Sequence, residues 1–223
     1  MIVILQGRLR STRLPAKGFL PFFGQTVWER MCDIGRAIRG ASEVVFATGD
    51  LPENHLARPL VEAKGVRFFA GSEDHVLERF CKVVESAPDD YVVRLTCDNY
   101  LIQPDVVEGL ASAVMERDAA YGFVAPLSHF AGEVVSTRAL LGLWRSGAYS
   151  PESREHVTWE IRRDPGLARV ELPAGYLGLD HASSPTLDSV DDFVTMRSLE
   201  QRHPLLAEAR CLPVLQRLFP YLR

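Results

Sequence analysis

The fold is decided by the first stretch of the sequence, residues 1–17, which reads MIVILQGRLRSTRLPAK. Its first five residues are apolar and rich in β-branched side chains, a pattern typical of a buried strand. The next twelve include three arginines and a lysine. Because ligands of open α/β sheets lie beyond the carboxyl ends of strands, this loop favours an anionic ligand such as a polyphosphate. A solvated basic loop is the alternative that composition leaves open.

The composition restricts the class of protein. Hydrophobic residues make up 47% of the 223 residues and charged residues 24%, as in ordinary globular proteins. The 25 basic and 29 acidic residues give a formal net charge of -4, which offers no general attraction to nucleic acid or to an anionic membrane. No apolar run approaches the ~18 residues of a membrane span. The N-terminus lacks a secretion signal and the four cysteines lack C-x-x-C spacing, so we expect a cytoplasmic protein without structural zinc.

Hydrophobic periodicity predicts strands and helices that alternate along the chain. Strands are predicted at residues 1–5, 42–47, 66–69, 91–96, 121–124, 133–135 and 168–172. Helices are predicted to begin at Thr26, which would cap the helix, after Ser72 in the same role, at Pro104 and near Val190, and to cover 52–63, 137–144 and 151–163. This rhythm implies an α/β fold in which helices cover both faces of a mostly parallel sheet.

Asp98 comes two residues after the strand at 91–96, which is apolar or β-branched apart from Arg94, and is therefore expected at the ligand edge of the sheet. A carboxylate at that place can hold Mg²⁺, which would bridge the phosphates of a nucleotide. A lone aspartate more often forms a turn or caps a helix, so the residue alone leaves both roles open.

The first loop, with the order Gln-x-Arg-x-x-Ser-Thr-Arg-Leu-Pro-x-Lys, resembles the signature loop of the cytidylyltransferases that activate acidic sugars. The resemblance is to the spore-coat-polysaccharide type, related to acylneuraminate and deoxy-octulosonate cytidylyltransferases. It implies a three-layer α/β/α nucleotidyltransferase with a Rossmann-like sheet that transfers CMP from CTP to an acidic acceptor and releases pyrophosphate. Arg8, Arg13 and Lys17 would neutralise charge on the leaving pyrophosphate. The nucleotide-binding residues implied in and before this loop are Gln6, Gly7, Arg8, Ser11, Thr12, Arg13 and Lys17.

Further stretches support the resemblance and imply roles for their residues. Residues 94–104 and 187–193 are similar to the family segments that carry the two metal-side carboxylates, which correspond to Asp98 and Asp188 with Mg²⁺ as cofactor. Residues 47–50, 71–80 and 154–158 are similar to segments near the nucleoside and the acceptor. The additional nucleotide-binding residues are predicted to be Thr48, Asp50, Gly71, Ser72, Asp74, Val76, Arg79 and Arg94. The predicted acceptor-binding residues are Tyr100, Glu133, Arg154 and His156. His129 and His181 lie in the same half of the chain but are weaker candidates.

The resemblance extends over nearly the whole chain, so we expect one domain with a nucleotide-binding half at 1–124 and an acceptor-binding half at 125–223. The second half would also serve a homodimer, which the resemblance implies. Ala131 stands where the family has an acid, and Tyr100 replaces a proline. These departures put the identity of the acceptor in doubt. A sugar-1-phosphate nucleotidyltransferase with another nucleotide, or a catalytically silent nucleotide-binding module, are the alternative interpretations.

Overall fold

The computed structural model describes residues 1–86, 89–125, 128–173, 186–211 and 213. The strands are β1 (Ile2–Gln6), β2 (Pro21–Phe22), β3 (Gln25–Thr26), β4 (Glu43–Gly49), β5 (Arg67–Gly71), β6 (Tyr91–Thr96), β7 (Tyr121–Ala125), β8 (Glu133–Ser136) and β9 (Arg169–Pro173). The helices are α1 (Val27–Ala37), α2 (Arg58–Ala63), α3 (Val76–Glu85), α4 (Pro104–Glu116), α5 (Ser128–Ala131), α6 (Thr137–Ser146), α7 (Pro151–His156) and α8 (Val190–Arg202). Each strand expected from the sequence lies within two residues of its predicted ends. In the described part of the chain, no helix has the length and apolar character needed to cross a membrane.

Seven strands form one sheet in the order β5-β4-β1-β6-β8-β7-β9, and β2 pairs with β3 in a separate hairpin. Six strands of the large sheet run parallel, and β8 runs antiparallel to its neighbours β6 and β7. The predicted mostly parallel α/β sheet is therefore confirmed. From β1 the chain moves outward to β4 and β5, then returns to β6 on the other side of β1. This reversal leaves a crevice beyond the carboxyl ends of β1 and β6, the usual position of a ligand in such sheets.

The register of the central strands brings their ends together. Gln6, the last residue of β1, lies opposite Ala47 of β4 and Thr96 of β6. The backbone continues the pattern beyond β1, since the Gly7 N–H donates to the Ala47 carbonyl at 3.3 Å and the Cys97 N–H to the Gln6 carbonyl at 2.9 Å. The loops that follow these strands therefore start side by side.

Side chains of β1 alternate between two cores, one on each face of the sheet. Ile2 and Ile4 pack on the face covered by α3 and α6, whereas Val3 and Leu5 pack on the face covered by α1 and α4. All four are completely buried. Burying an aliphatic side chain of this size contributes about 1.5–3 kcal/mol. The apolar run that opens the sequence thus joins both outer layers, and the predicted three-layer arrangement is confirmed.

Local capping agrees with the sequence at some helices and differs at others. Thr26 caps α1 as predicted, in a reciprocal capping box with Glu29. The predicted cap at Ser72 is wrong, because α3 begins four residues later and His75 caps it, with His75 Nδ1 accepting from the Glu78 N–H at 3.1 Å. The Ser72 hydroxyl instead accepts from the His75 N–H at 3.1 Å.

Two predicted helices are shorter than expected. The helix predicted over 52–63 begins as a 3₁₀ turn at Asn54–Ala57 before α2. The helix predicted over 151–163 ends at His156, since the next residue, Val157, has φ of 52°. A second 3₁₀ turn covers Ile161–Arg163. A left-handed conformation cannot continue a right-handed helix, so the chain turns back towards the sheet at this point.

Candidate active site

A cleft of about 790 Å³ lies beyond the carboxyl ends of β1 and β6. Its walls come from the loop after β1, the residues after β6, the start of α3, the end of α7 and the residue that precedes Ser189 and α8. The predicted loop residues Gln6, Gly7, Arg8, Ser11, Thr12, Arg13 and Lys17 all line it. The cleft lies where the strand order predicts a ligand site. The polar loop after β1 and the edge of the sheet together form its walls.

Hydrogen bonds within the loop after β1 hold it in a folded conformation. The Ala16 N–H donates to the Leu9 carbonyl at 3.2 Å, and the Leu14 N–H donates to the Ser11 hydroxyl at 3.2 Å. Ala16 has φ of 56°, a region that L residues seldom adopt and that glycine occupies without penalty.

Asn54 anchors the same loop and was missed by the sequence analysis. Its side chain is completely buried, and its Oδ1 accepts from the Leu9 N–H at 2.8 Å. Its Nδ2 donates to the Gly49 carbonyl at 3.0 Å and to a Glu73 carboxylate oxygen at 3.1 Å. One amide therefore joins the loop to the end of β4 and to the segment before α3. An asparagine two residues after a proline signals only a turn, so nothing local in the sequence reveals this role.

Lys17, Asp98 and Asp188 meet at the floor of the cleft. Lys17 Nζ lies 2.9 Å from Asp98 Oδ2 and 2.8 Å from Asp188 Oδ1, and Arg13 Nη2 lies 3.0 Å from Asp188 Oδ2. The lysine side chain is 15% exposed and the two carboxylates are 27% and 31% exposed. Lys17, Asp98 and Asp188 thus form a partly buried cluster of residues distant in sequence, to which Arg13, with a side chain 69% exposed, adds a second cation.

The start of α8 fixes the backbone at Asp188. The Asp192 carboxylate accepts from the Asp188 N–H at 3.0 Å and from the Ser189 N–H at 2.7 Å. Ser189 and Asp192 form a capping box, which lowers the pKa of the Asp192 carboxyl despite the opposing effect of its burial. Asp192 is therefore a first-turn helix acid, as expected, and it also sets the place from which Asp188 reaches the cleft.

The donor set of the cluster fits a hard divalent cation. Asp98 and Asp188 already converge on one positive charge, the Lys17 ammonium. Among the described residues, no group of three or more His, Cys, Asp or Glu side chains is arranged to hold a metal ion. Mg²⁺ is commonly bound by one or two carboxylates together with substrate phosphates and water. A nucleotide phosphate beside these aspartates would complete such a site.

Arg94 lies at the centre of a polar network beside the cleft. Its Nε donates to Gln6 Oε1 at 3.0 Å and its Nη1 to Glu133 Oε2 at 2.5 Å. Glu133 also accepts from the Tyr121 and Thr158 hydroxyls. Burial would raise the pKa of Glu133, but the Arg94 charge and these hydrogen bonds together lower it below its usual value. Glu133 is thus an ionised, saturated internal partner.

A smaller cavity of about 270 Å³ adjoins the cleft on the far side of Asp98. Its lining includes His129 and Arg162. The His129 ring contacts the Thr186 hydroxyl at 3.1 Å, and Arg162 Nη1 lies 3.9 Å from Glu133. The buried Arg162 Nε has no hydrogen-bond partner within the described parts of the chain. The cavity therefore offers an incompletely paired cation in a lining that also includes Asp98.

The opposite end of the cleft is lined by Val76, Trp28 and Arg79. Arg79 is 1% exposed, and burial lowers its pKa to about 10. Its Nη1 donates to the Ser72 carbonyl at 3.0 Å, while its Nε has no partner among the described residues. This part of the lining thus combines two apolar side chains with a buried guanidinium whose Nε is unpaired.

Comparison with known proteins decides the family. The family model described as cytidylyltransferase matches residues 2–201. The chain belongs to the cytidylyltransferase family. It is therefore a nucleotidyltransferase, as the resemblance of its loops implied.

Several relatives of this cytidylyltransferase extend over most of its length. The chain is 30% identical over 211 residues to the spore coat polysaccharide biosynthesis protein SpsF of Bacillus subtilis (strain 168), covering 91% of this chain and 87% of SpsF. It is 30% identical over 182 residues to the 3-deoxy-manno-octulosonate cytidylyltransferase of Psychromonas ingrahamii, covering 74% and 69%. A cytidylyltransferase structure from Leptospira borgpetersenii shares the fold with a TM-score of 0.86 at 21% identity, covering 99% of this chain and 95% of that one.

Several predicted residues of this cytidylyltransferase lie outside the cleft. The prediction that Tyr100 binds the acceptor is wrong. Its side chain is completely buried, and its hydroxyl donates to the Phe22 carbonyl at 3.3 Å. Thr48 is also completely buried, and Asp50 is exposed and paired with His55 at 2.7 Å. The other predicted residues that do not line the cleft are Gly71, Ser72, Asp74 and Arg154.

The acceptor-side predictions have mixed outcomes. His156 lines the main cleft beside Glu155, whose carboxylate lies 3.6 Å from Arg8 Nη2. Glu133 lines the smaller cavity, although its carboxylate is already saturated. Ala131 is fully buried in the core, so its side chain does not shape the acceptor side. His181 lies outside the described residues.

Proposed function

We propose that this enzyme transfers the cytidylyl group of CTP to a small acidic acceptor and releases pyrophosphate. The observation that carries the proposal is the convergence of Lys17, Asp98 and Asp188 at the sheet's crevice, beside a loop with three further arginines. A site with this balance of charge suits a metal–triphosphate complex, whose phosphates require cations and whose metal requires carboxylates.

The loop cations would act on the phosphates. An acceptor oxygen would form a bond to the α-phosphorus while the bond from that phosphorus to the oxygen bridging the β-phosphate breaks. Arg8, Arg13 and Lys17 would neutralise charge that accumulates on the departing pyrophosphate. Asp98 and Asp188 would hold Mg²⁺, which supplies Lewis acidity at the α-phosphate when bound. The rate gain would come from positioning and electrostatic stabilisation, without a covalent enzyme intermediate.

CTP is the proposed donor because of the relatives. The octulosonate relative is named a cytidylyltransferase, and a synthetase of CMP-activated 2-keto-3-deoxy-manno-octonic acid, solved with CTP, shares the fold with a TM-score of 0.69. In this chain, Arg79, Val76 and Trp28 line the same cleft, and the unpaired Arg79 Nε would donate to the base end of the nucleotide.

The acceptor would bind in the smaller cavity, where the proposed metal site and Arg162 are both in reach. An incompletely paired guanidinium favours an anionic group, and a volume of about 270 Å³ favours a compact acid. A sugar acid, or a phosphorylated or phosphonate compound of similar size, fits these requirements.

Pyrophosphate release measured over an acceptor panel tests the proposal. The panel would contain octulosonic, nonulosonic and shorter acids and their phosphorylated analogues, each with CTP, ATP, GTP or UTP and Mg²⁺. We expect pyrophosphate release that depends on the acceptor and that occurs with CTP but not with the other three nucleotides. Release with another nucleotide and a sugar 1-phosphate would support that alternative instead. CTP binding without release for any acceptor would support a silent module.

The assembly and location of the enzyme are part of the proposal. We place it in the cytoplasm, where its four free, buried cysteines would stay reduced. We also propose that it is a homodimer, with the division into donor and acceptor halves near residue 125 and the second half at the interface. Light scattering after size-exclusion chromatography tests the dimer, and a monomer at micromolar concentration would contradict it.

A further inference from the structure

The ammonium group of Lys17 lies at the point where the two proposed metal ligands converge. Its contacts to Asp98 and Asp188, at 2.9 and 2.8 Å, are the lengths of good charge-assisted hydrogen bonds. The lysine is the more buried partner, at 15% exposed. One ammonium group therefore bridges both carboxylates in the protein alone, and Arg13 pairs with the second oxygen of Asp188.

The backbone that carries Lys17 is fixed, whereas its side chain is long enough to move. Lys17 begins a 3₁₀ turn, and Leu20 N–H donates back to its carbonyl at 3.2 Å. The next residue, Gly18, packs so closely on Trp28 that a Cβ atom there would lie 2.1 Å from the indole ring. The ammonium can thus leave the aspartates by rotation of its own side chain, without movement of the loop.

The charges of the cluster balance before any ligand binds. Lys17 and Arg13 supply two positive charges, and Asp98 and Asp188 supply two negative charges. A divalent ion added alone would leave an uncompensated excess of positive charge in a partly buried site. A triphosphate added with the ion brings the negative charge that Lys17 and Arg13 can pair with instead.

We propose that Lys17 is an internal counter-ion that keeps a free divalent ion from Asp98 and Asp188 until nucleotide phosphates draw its ammonium away. The inference rests on the proposed function in assigning the two aspartates to the metal. Metal and nucleotide then bind with positive coupling, which acts equally in both directions. Lys17 has two successive positions, first between the carboxylates and then on the phosphates.

The test measures the affinity for Mn²⁺ in the absence of nucleotide. The electron paramagnetic resonance signal of the unbound ion reports how much Mn²⁺ remains free. Wild type is expected to bind Mn²⁺ weakly without nucleotide. Lys17→Met and Lys17→Gln should bind it at least tenfold more tightly, while pyrophosphate release by the same variants falls. Lys17→Arg, which keeps the charge, should stay near wild type in metal affinity. A tighter metal site in a less active enzyme is a combination that simple loss of structure would not produce.

Arg10→Met is the matched control. Arg10 is on the same loop, but it pairs with Glu53 at 3.0 Å and not with Asp98 or Asp188. Its affinity for Mn²⁺ alone should equal that of wild type. Unchanged or weaker Mn²⁺ binding in both neutral Lys17 variants would overturn the counter-ion role. Asp98→Asn distinguishes that failure from failure of the site assignment: if it leaves Mn²⁺ binding in the presence of CTP unchanged, the aspartate does not hold the metal at all.

Discussion

Replacing Asn54 should weaken both the fold and nucleotide binding, although Asn54 touches no proposed phosphate contact. In Asn54→Ala the Leu9 N–H loses its acceptor and the Gly49 carbonyl loses its donor, both in a buried position. The third bond lost is the one that the Asn54 amide donates to the Glu73 carboxylate. A neutral hydrogen bond contributes about 1 kcal/mol net, and one to a charged group about 1.5–3 kcal/mol. Two neutral bonds and one to a charged group together give an expected fall in the free energy of unfolding of about 3.5–5 kcal/mol.

Asn54→Asp is the informative partner of this variant. The new carboxylate can still accept from the Leu9 N–H, but its other oxygen faces the Gly49 carbonyl and the Glu73 carboxylate. Repulsion raises the pKa of the new carboxyl in the folded state above its unfolded value, so folding favours its protonated form. The loss of stability should consequently be largest at neutral pH and become smaller as the pH falls towards 5.

Urea unfolding monitored by circular dichroism gives the stability, and isothermal titration with CTP and Mg²⁺ gives the affinity. Since Asn54 fixes Leu9 within the phosphate loop, we expect about a tenfold weaker affinity for CTP in Asn54→Ala at temperatures where the protein is folded. A stability loss below about 0.5 kcal/mol, typical of surface sites, would refute the reasoning. Equal pH dependence for the two variants would refute the account of the Asp variant.

Three further predictions concern the metal site, the loop backbone and the buried acid. Asp98→Asn should reduce pyrophosphate release by more than about 100-fold, while Asp191→Asn on the exposed side of α8 leaves it unchanged. Gly18→Ala should lower the unfolding free energy by about 1–3 kcal/mol, measured in urea, because its Cβ would overlap Trp28. Because the folded pKa of Glu133 lies below its unfolded value of about 4.5, its stabilisation is present above that pH and is lost as the pH falls further. Glu133→Gln should therefore cost about 3 kcal/mol at pH 7, and progressively less in acid unfolding below pH 4.5.

The parts of the fold that depend on local pattern were predictable. The strand Tyr91–Thr96 has the same bounds in the sequence prediction and in the structure, because a short run rich in β-branched residues between turn signals favours a strand. The position of Asp98 beyond that strand followed from the parallel order. Both features need only the chain's own periodicity and the general rule for open sheets.

The parts that depend on tertiary contacts were not predictable. Val157 has a positive φ that local propensity disfavours for a β-branched residue, and it is stabilised by complete burial of its side chain. Tyr100 sits two residues after Asp98 yet faces the core, where its ring packs against Phe22 and Arg30. Neither result can be read from the neighbouring residues, because each depends on segments far away in the sequence.

The reversed strand β8 separates the two sides of the site along the chain as well as in space. The donor loop follows the carboxyl end of β1, whereas the smaller cavity borders the amino end of β8, where Glu133 lies opposite Arg94. The connection from β7 to β8 can accordingly change its length or sequence while the pairing of the parallel strands beneath the donor loop stays the same. With the acceptor in the smaller cavity, as proposed, a change of acceptor would need a changed connection, whereas a change of donor would need changes at the ends of several parallel strands.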